Sequence, residues 1–185
     1  MDMKERLVRF RSFWIFPSLS IALLLLTRGG TGMRRLGELL WLVPIGIAAW
    51  TLLEYFFHRV LFHTSFRQRW LREMVNESHL RHHAAPRDGR QILVMPSFGL
   101  SISAVLYGVL AVLTRDLFAA SGIITGIWLG FLYYEAVHYR VHMSLVHSAL
   151  LQQQRRAHFY HHFSNSEKCF GVTSPFWDYV FRTNR

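Results

Sequence analysis

Apolar and polar positions separate along this chain into four long apolar stretches and two polar ones rich in histidine and arginine. Between Arg90 and Arg115 lies an uncharged run of twenty-four residues, Gln91 to Thr114. As helix, at ~1.5 Å per residue, it exceeds the ~30 Å hydrocarbon core of a bilayer and is the strongest candidate membrane span. Eighteen uncharged residues, Leu117 to Tyr134, follow after only Arg115 and Asp116, so the two segments form an antiparallel hairpin. Earlier, Leu39 to Phe57 carries one charge, Glu54, and Ser12 to Thr27 is uncharged but sixteen residues long, a length that suits spanning and half-burial alike. The pattern predicts spans at about 12–27, 39–57, 91–114 and 117–134. The alternative is a soluble bundle of buried helices, but four such runs in 185 residues leave little polar chain to cover them. No A-x-A-like cleavage site follows Leu23 to Leu26 and Arg28 interrupts at once, so the first segment reads as retained and not as a signal peptide.

The hairpin returns the chain to the side it left, which puts the polar stretches 58–90 and 135–185 on one face. Both are rich in arginine, so that face is assigned to the cytoplasm. The first segment does not decide, because Lys4, Arg6, Arg9 and Arg11 before it nearly balance Arg28, Arg34 and Arg35 after it. Phe66, Trp70, Leu71, Met74 and Val75 recur at helical spacing opposite Arg67, Arg69, Arg72 and Glu73, a pattern for a helix lying on the membrane surface or packed on its own protein. No repeat, low-complexity tract or Pro/Gly linker divides the chain, which reads as a single all-α membrane domain over 1–185.

Composition narrows the function. The chain is 51% hydrophobic and only 17% charged, which excludes a disordered protein. A formal net charge of +10 suits anionic lipid headgroups, and no nucleic-acid motif accompanies the basic patches. The single cysteine, Cys169, excludes an internal disulfide and any CxxC element.

Histidine is the anomaly. Of eleven, ten fall in four compact groups: His58 and His63 in EYFFHRVLFH, His79, His82 and His83 in HLRHH, His138 and His142 in HYRVH, and His158, His161 and His162 in HFYHH. Only His147 stands apart. A lone histidine is more often structural than a ligand, but residues three and four apart share a helix face, so each group can aim at one place. Adjacent histidines are splayed by ~100° on a helix, which suits two neighbouring ions. His58 and His63, ~140° apart on a regular helix, should also serve different ions unless the helix unwinds. Ten imidazoles are enough for two ions with about five each, whereas one zinc needs three or four. The first two groups follow the second apolar segment and the last two follow the fourth. The expected object is a dinuclear all-histidine centre at the membrane surface. Glu54, four residues before His58, and Glu135, three before His138, are placed to accept an imidazole N–H or to make ordinary ion pairs, and Asp178 is either a further such acceptor or a helix-end residue.

The ordered set HxxxxH, HxxHH, HxxxH, HxxHH with an FGVTSPFWDY tail resembles the fatty acid hydroxylase/sterol desaturase superfamily, and within it the fatty acid 2-hydroxylases. The resemblance covers roughly Leu39 to the C-terminus. It implies four transmembrane helices capped by a cytosolic helical domain, with His58, His63, His79, His82, His83, His138, His142, His158, His161 and His162 as ligands of a di-iron centre. It also implies O2-dependent hydroxylation of a lipid C–H bond, here the 2-position of a fatty acyl chain. Imidazole ligands suit several metals and zinc competes with iron(II), but alkyl C–H cleavage requires a redox metal. Some relatives carry a fused cytochrome b5 domain with an HPGG motif. This sequence has none, so a separate cytochrome b5-like or ferredoxin-like donor is expected, and the compact length favours a bacterial inner membrane over the endoplasmic reticulum. Rival readings are a sterol or carotenoid hydroxylase or desaturase, a zinc-dependent membrane hydrolase, and a non-catalytic metal-binding or transport protein. Phe170, Phe176, Trp177, Tyr179 and Phe181 line a substrate entrance in one reading and anchor the tail at the interface in the other, favoured, one.

Overall fold

The computed structural model describes residues 10–29, 33–64, 66–73 and 77–185, and among them all regular structure is helical, as the apolar pattern requires. In chain order the helices are α1 (Ser12–Thr27), α2 (Met33–Leu36), α3 (Leu39–Phe56), α4 (Arg69–Leu71), α5 (Glu77–Ala84), α6 (Gly89–Ile92), α7 (Pro96–Thr114), α8 (Leu117–Met143), α9 (Ala149–Phe163) and α10 (Phe176–Val180). A π-helical turn, Phe57–Phe62, continues α3. Among the described residues three helices are long and apolar enough to cross a membrane: Leu39–Phe62 with 24 residues, Pro96–Thr114 with 19 and Leu117–Met143 with 27. Ser12–Thr27 is apolar and shorter.

Two boundaries differ from the apolar pattern. The third segment begins at Pro96 and not at Gln91. Met95 before it is extended, as a residue preceding proline must be, and the missing proline N–H is no loss in a first helical turn. The fourth segment continues nine residues past Tyr134, so the HYRVH histidines ride on the same helix as the apolar run. Between α7 and α8, Arg115 takes the left-handed conformation (φ 53°) that ends a helix, and Asp116 Oδ1 accepts from the N–H of Phe118 to start the next.

The chain divides into two compact units. The first comprises residues 1–50 and 95–132. Within it Gly122, Gly126 and Gly130, four residues apart on one face of α8, face α3, and at Gly126 the two backbones touch. A Cβ on Gly126 would lie 2.1 Å from the Val43 carbonyl oxygen, and one on Gly46 would lie 2.0 Å from that of Ile123. Trp50 packs over Gly130 and Leu42 over Gly122. Small residues that let helix backbones touch replace the hydrophobic effect as glue where the surroundings are as apolar as the helices. Phe16 of α1 packs against Trp128 and Phe131, with ring centroids 5.4 and 5.3 Å away. The Trp128 indole N–H donates to Ser103 Oγ of α7 at 2.8 Å. Arg35 pairs with Asp116 and with Glu38, and its guanidinium lies over Phe118. Val112 and Leu113 of α7, 75% and 74% exposed, leave that helix an apolar outer surface. Gly126→Ala is expected to cost ~1–3 kcal/mol by overpacking, read as a lower unfolding temperature in detergent. Gly108→Ala, whose Cβ meets open space, is the matched control.

The second unit comprises residues 51–94 and 133–185 and holds all four histidine groups. Of the surface helix expected around 66–75, the described residues show the turn of α4 followed by π-helical Arg72 and Glu73, with Trp70 63% exposed; Met74 and Val75 lie outside the described residues. Lys4, Arg6 and Arg9 lie outside them as well.

Candidate metal centre

The π turn after α3 settles how the first pair is used. Its i→i+5 hydrogen bonds bring residues five apart back to one side, so His58 and His63 point into the same cluster. The expectation that they serve different ions held only for a regular helix, and the helix widens at this pair, the exception it allowed. On α5, His79 and His83 share a face one turn apart and join the same cluster, while His82 between them points to the other. α9 mirrors this, with His158 and His162 in the second cluster and His161 in the first; α8 adds His138 and His142 to the second. Adjacent histidines thus diverge to different clusters, as their splay on a helix requires.

Each cluster contains five imidazoles, His58, His63, His79, His83 and His161 in one and His82, His138, His142, His158 and His162 in the other. Within each, one ring nitrogen per residue lies within 4.8 Å of all the others. The facing atoms are Nε2. In the first cluster His63 lies 3.1 Å from both His161 and His79, and His79 lies 3.0 Å from His83. In the second, His138–His82 and His162–His158 are 3.0 Å apart and His158–His142 is 2.8 Å. Ligands on a metal at ~2.1 Å are ~3.0 Å apart at right angles and ~3.4 Å apart in a tetrahedron, so these spacings fit a centre with right-angled ligands. The clusters adjoin, the rings of His83 and His162 stacking 4.1 Å apart.

Electrostatics agrees. Burial, reinforced by repulsion from neighbouring imidazoles, pushes His82 down to about 3, His83 to about 4 and His79 and His158 well below the ordinary histidine value. Burial also takes His161 down to about 3. These rings are neutral at pH 7, the form that ligates. A neutral ring has one N–H, so five Nε2 atoms cannot satisfy one another; a single cation satisfies all five lone pairs at once. His58 Nε2 is buried with no hydrogen-bond partner. The donor set therefore fits two metal ions. In the metal-free protein the unfolded chain takes up protons that the folded cluster refuses, so stability is expected to fall as pH drops below ~6.5. Thermal unfolding from pH 7.5 to 5 with and without chelator checks this; a flat profile for the stripped protein would contradict it.

Backbone carbonyls orient two of the rings. His58 Nδ1 donates to the Phe170 carbonyl at 2.5 Å and His161 Nδ1 to that of Lys168 at 2.8 Å. A carbonyl only accepts, so both rings carry their proton on Nδ1 and turn the Nε2 lone pair to the cluster. The loop 168–173 that supplies these carbonyls is held by the carboxylates flagged in the sequence. Asp178, 1% exposed, accepts from the N–H groups of Phe170 and Gly171 and from the Thr183 hydroxyl. Glu54 accepts from the N–H groups of Val172 and Thr173 and from the Thr173 hydroxyl. Glu135 accepts from the Val94 N–H, and its other oxygen is buried with no hydrogen-bond partner. Asp178 therefore acts on the backbone that holds His58 and not on an imidazole itself. A Cβ on Gly171 would lie 2.0 Å from the Ser174 carbonyl oxygen, so only glycine fits there. Tyr55 bonds Thr183 and accepts from Arg59, extending the network.

The tail aromatics divide. Phe170 lies against His58 and His161, with ring centroids 5.7 and 5.3 Å away. Phe181 stacks on Tyr55, and Trp177 donates to Thr51. Phe176 and Tyr179 are exposed, as interfacial anchors would be. The ring-orienting carbonyls of Phe170 and Lys168 are absent from any reading of the sequence, since a main-chain acceptor leaves no residue signature.

Comparison with known proteins agrees with this geometry. A model of the fatty acid hydroxylase family matches residues 43–183. The dihydroceramide fatty acyl 2-hydroxylase FAH2 of Arabidopsis thaliana is 32% identical over 142 residues, covering 77% of this chain and 60% of the plant protein. The fatty acid 2-hydroxylase of Rattus norvegicus is 32% identical over 146 residues, covering 77% of this chain and 39% of the rat protein. The chain thus spans less than two thirds of the length of each of these relatives. A solved structure of full-length Scs7p, with only the hydroxylase domain visible, superposes with a TM-score of 0.81 at 24% identity over 100% of this chain and 70% of that one, a likeness of fold. The family match encloses all ten clustered histidines and the loop that orients them, and the chain belongs to the fatty acid hydroxylase family.

Proposed function

We propose that this protein is a membrane-embedded lipid hydroxylase whose ten clustered histidines hold two iron ions and which adds a hydroxyl to the 2-position of a fatty acyl chain. The observation that carries the reading is the pair of adjoining five-imidazole clusters with right-angled Nε2 spacing. The relatives named as fatty acid 2-hydroxylases support the choice of substrate and carbon. The overall change is RH + O2 + 2 e⁻ + 2 H⁺ → ROH + H2O, with the two electrons supplied by a separate carrier protein. Bound iron supplies the reduction of O2 and the oxidation of the C–H bond, chemistry that imidazole and zinc lack.

The protein's own groups prepare the site. His58 and His161 are locked with Nε2 inward by the Phe170 and Lys168 carbonyls, so the cluster needs little reorganisation on loading. Burial of His82, His138, His158 and His161, each at most 2% exposed, keeps water from the reacting atoms. In this reading α1, α3, α7 and α8 span the membrane and the histidines face the cytoplasm, an inner membrane of a bacterium being the setting. An acyl chain dissolved in the bilayer then needs only to raise its carboxyl end to the metals.

The test is a product assay on iron-loaded protein in membranes, with a defined panel of acyl lipids, a reductant and O2. The expected result is a 2-hydroxy acyl product that incorporates oxygen from O2, with about two iron ions bound per chain. A product formed equally well without O2, or one bound ion per chain, would overturn the proposal.

A further inference from the structure

Hydroxylation consumes two electrons from outside the histidine clusters, so the second unit needs a face at which a carrier delivers them. A cavity of about 650 Å³ lies between α9 and the 169–185 segment, lined among others by Gln154, Arg156, Cys169, Gly171, Thr173 and Arg185. A shallower groove beside it shares Gln152, Arg156 and Arg185 and adds Arg155, Phe159 and Tyr160. The guanidiniums of Arg155 and Arg185 sit over the rings of Phe159 and Tyr160.

Charge here is one-sided. Residues 149–185 carry Arg155, Arg156, Lys168, Arg182 and Arg185 against two carboxylates, Glu167 and the buried Asp178. Among the described residues none of the five cations forms an ion pair. Gln154, 5% exposed, donates to the Thr173 carbonyl and keeps its own oxygen without a partner.

Between cavity and histidines stands one layer of main chain. Cys169, Gly171, Val172 and Thr173 line the cavity, whereas the intervening Phe170 turns its ring to His58 and His161 and its carbonyl to His58 Nδ1. The cavity wall at Gly171, over which a carrier would dock, is therefore a single peptide and one hydrogen bond from an imidazole of the first cluster. Electron transfer falls steeply with distance, and this is a short bonded route.

We propose that this arginine-lined cavity and groove, on the outer side of α9 and loop 168–173, is the docking face for an acidic one-electron carrier protein. The inference rests on the hydroxylase reading. Each docked carrier is oxidised by one electron, and two successive deliveries supply the pair that one hydroxylation consumes. Such encounters are small and steered by charge, so they are fast, weak and sensitive to salt.

The test uses the full chain, iron-loaded in vesicles, with a soluble acidic cytochrome b5 domain as probe and dithionite as a reductant that needs no docking. In R156E/R185E the KM for cytochrome b5 is expected to rise at least ~10-fold and co-sedimentation of the probe with the vesicles to be lost. Iron content and the dithionite-driven rate are expected to stay within about twofold of the parent. Should the double variant fail to load iron, Arg156→Gln, with an expected KM rise of ~3-fold, takes its place. An unchanged KM with unchanged co-sedimentation, or failure of the parent to bind the probe, overturns the docking face. Absence of product with dithionite overturns the hydroxylase reading alone, because co-sedimentation scores the face independently of turnover.

Discussion

His82→Ala is expected to abolish 2-hydroxy product and to lower bound iron from about two ions per chain to about one. His82 is the middle histidine of HLRHH, is 1% exposed, and is the one member of α5 that enters the second cluster, where its Nε2 lies 3.0 Å from that of His138. Removing a group that merely orients a ligand typically costs 10–100-fold in metal affinity, so losing a ligand outright should cost more than ~100-fold. The first cluster keeps all five of its imidazoles in this variant. That makes the stoichiometry informative, because a general loss of fold would empty both sites. His147→Ala, a change at the exposed histidine outside the clusters, should alter neither quantity. Unchanged product in His82→Ala would remove the two-cluster reading.

Asp178→Ala is expected to be the most destabilising change outside the histidines. Its carboxylate accepts from two buried backbone N–H groups and from Thr183; alanine leaves the two N–H groups without partners, while the Thr183 hydroxyl keeps Tyr55. At ~1–3 kcal/mol for each unsatisfied buried donor, the loss is several kcal/mol and is read as a large drop in unfolding temperature. The effect reaches the metals through the main chain. Once the N–H of Phe170 is released, its carbonyl no longer holds His58, and iron affinity should fall ~10–100-fold. Asp178→Asn keeps an acceptor for part of this network and should restore part of both. If iron affinity in Asp178→Ala matched the parent while stability fell, loop 168–173 would not position the ring.

Individual elements show how far the chain could be read in advance. The i, i+3, i+4 spacing of HLRHH and HFYHH already implied that neighbouring histidines diverge, because 3.6 residues per turn leaves them no alternative. The same rule could not place His63, since nothing in FHRVLF marks the turn as π rather than α; in the folded chain its Nε2 meets those of His79 and His161. Glu54 and Asp178 stood out as carboxylates near the histidines, yet each accepts from two backbone N–H groups, more than a hundred residues away for Glu54 and seven or eight for Asp178, and from a threonine hydroxyl. The stripe Gly122, Gly126 and Gly130 passed as ordinary apolar helix until α3 was set against it.

Local order alone determined the apolar helices, their approximate lengths, the four histidine groups and the divergence of adjacent histidines, because helical periodicity and hydrophobicity act over a few residues. Which imidazole joins which cluster, which carbonyl fixes its proton and where the helices touch at glycine were decided only in the folded chain. Those outcomes depend on contacts between segments far apart in sequence, and hydrogen bonds to the main chain carry no residue label.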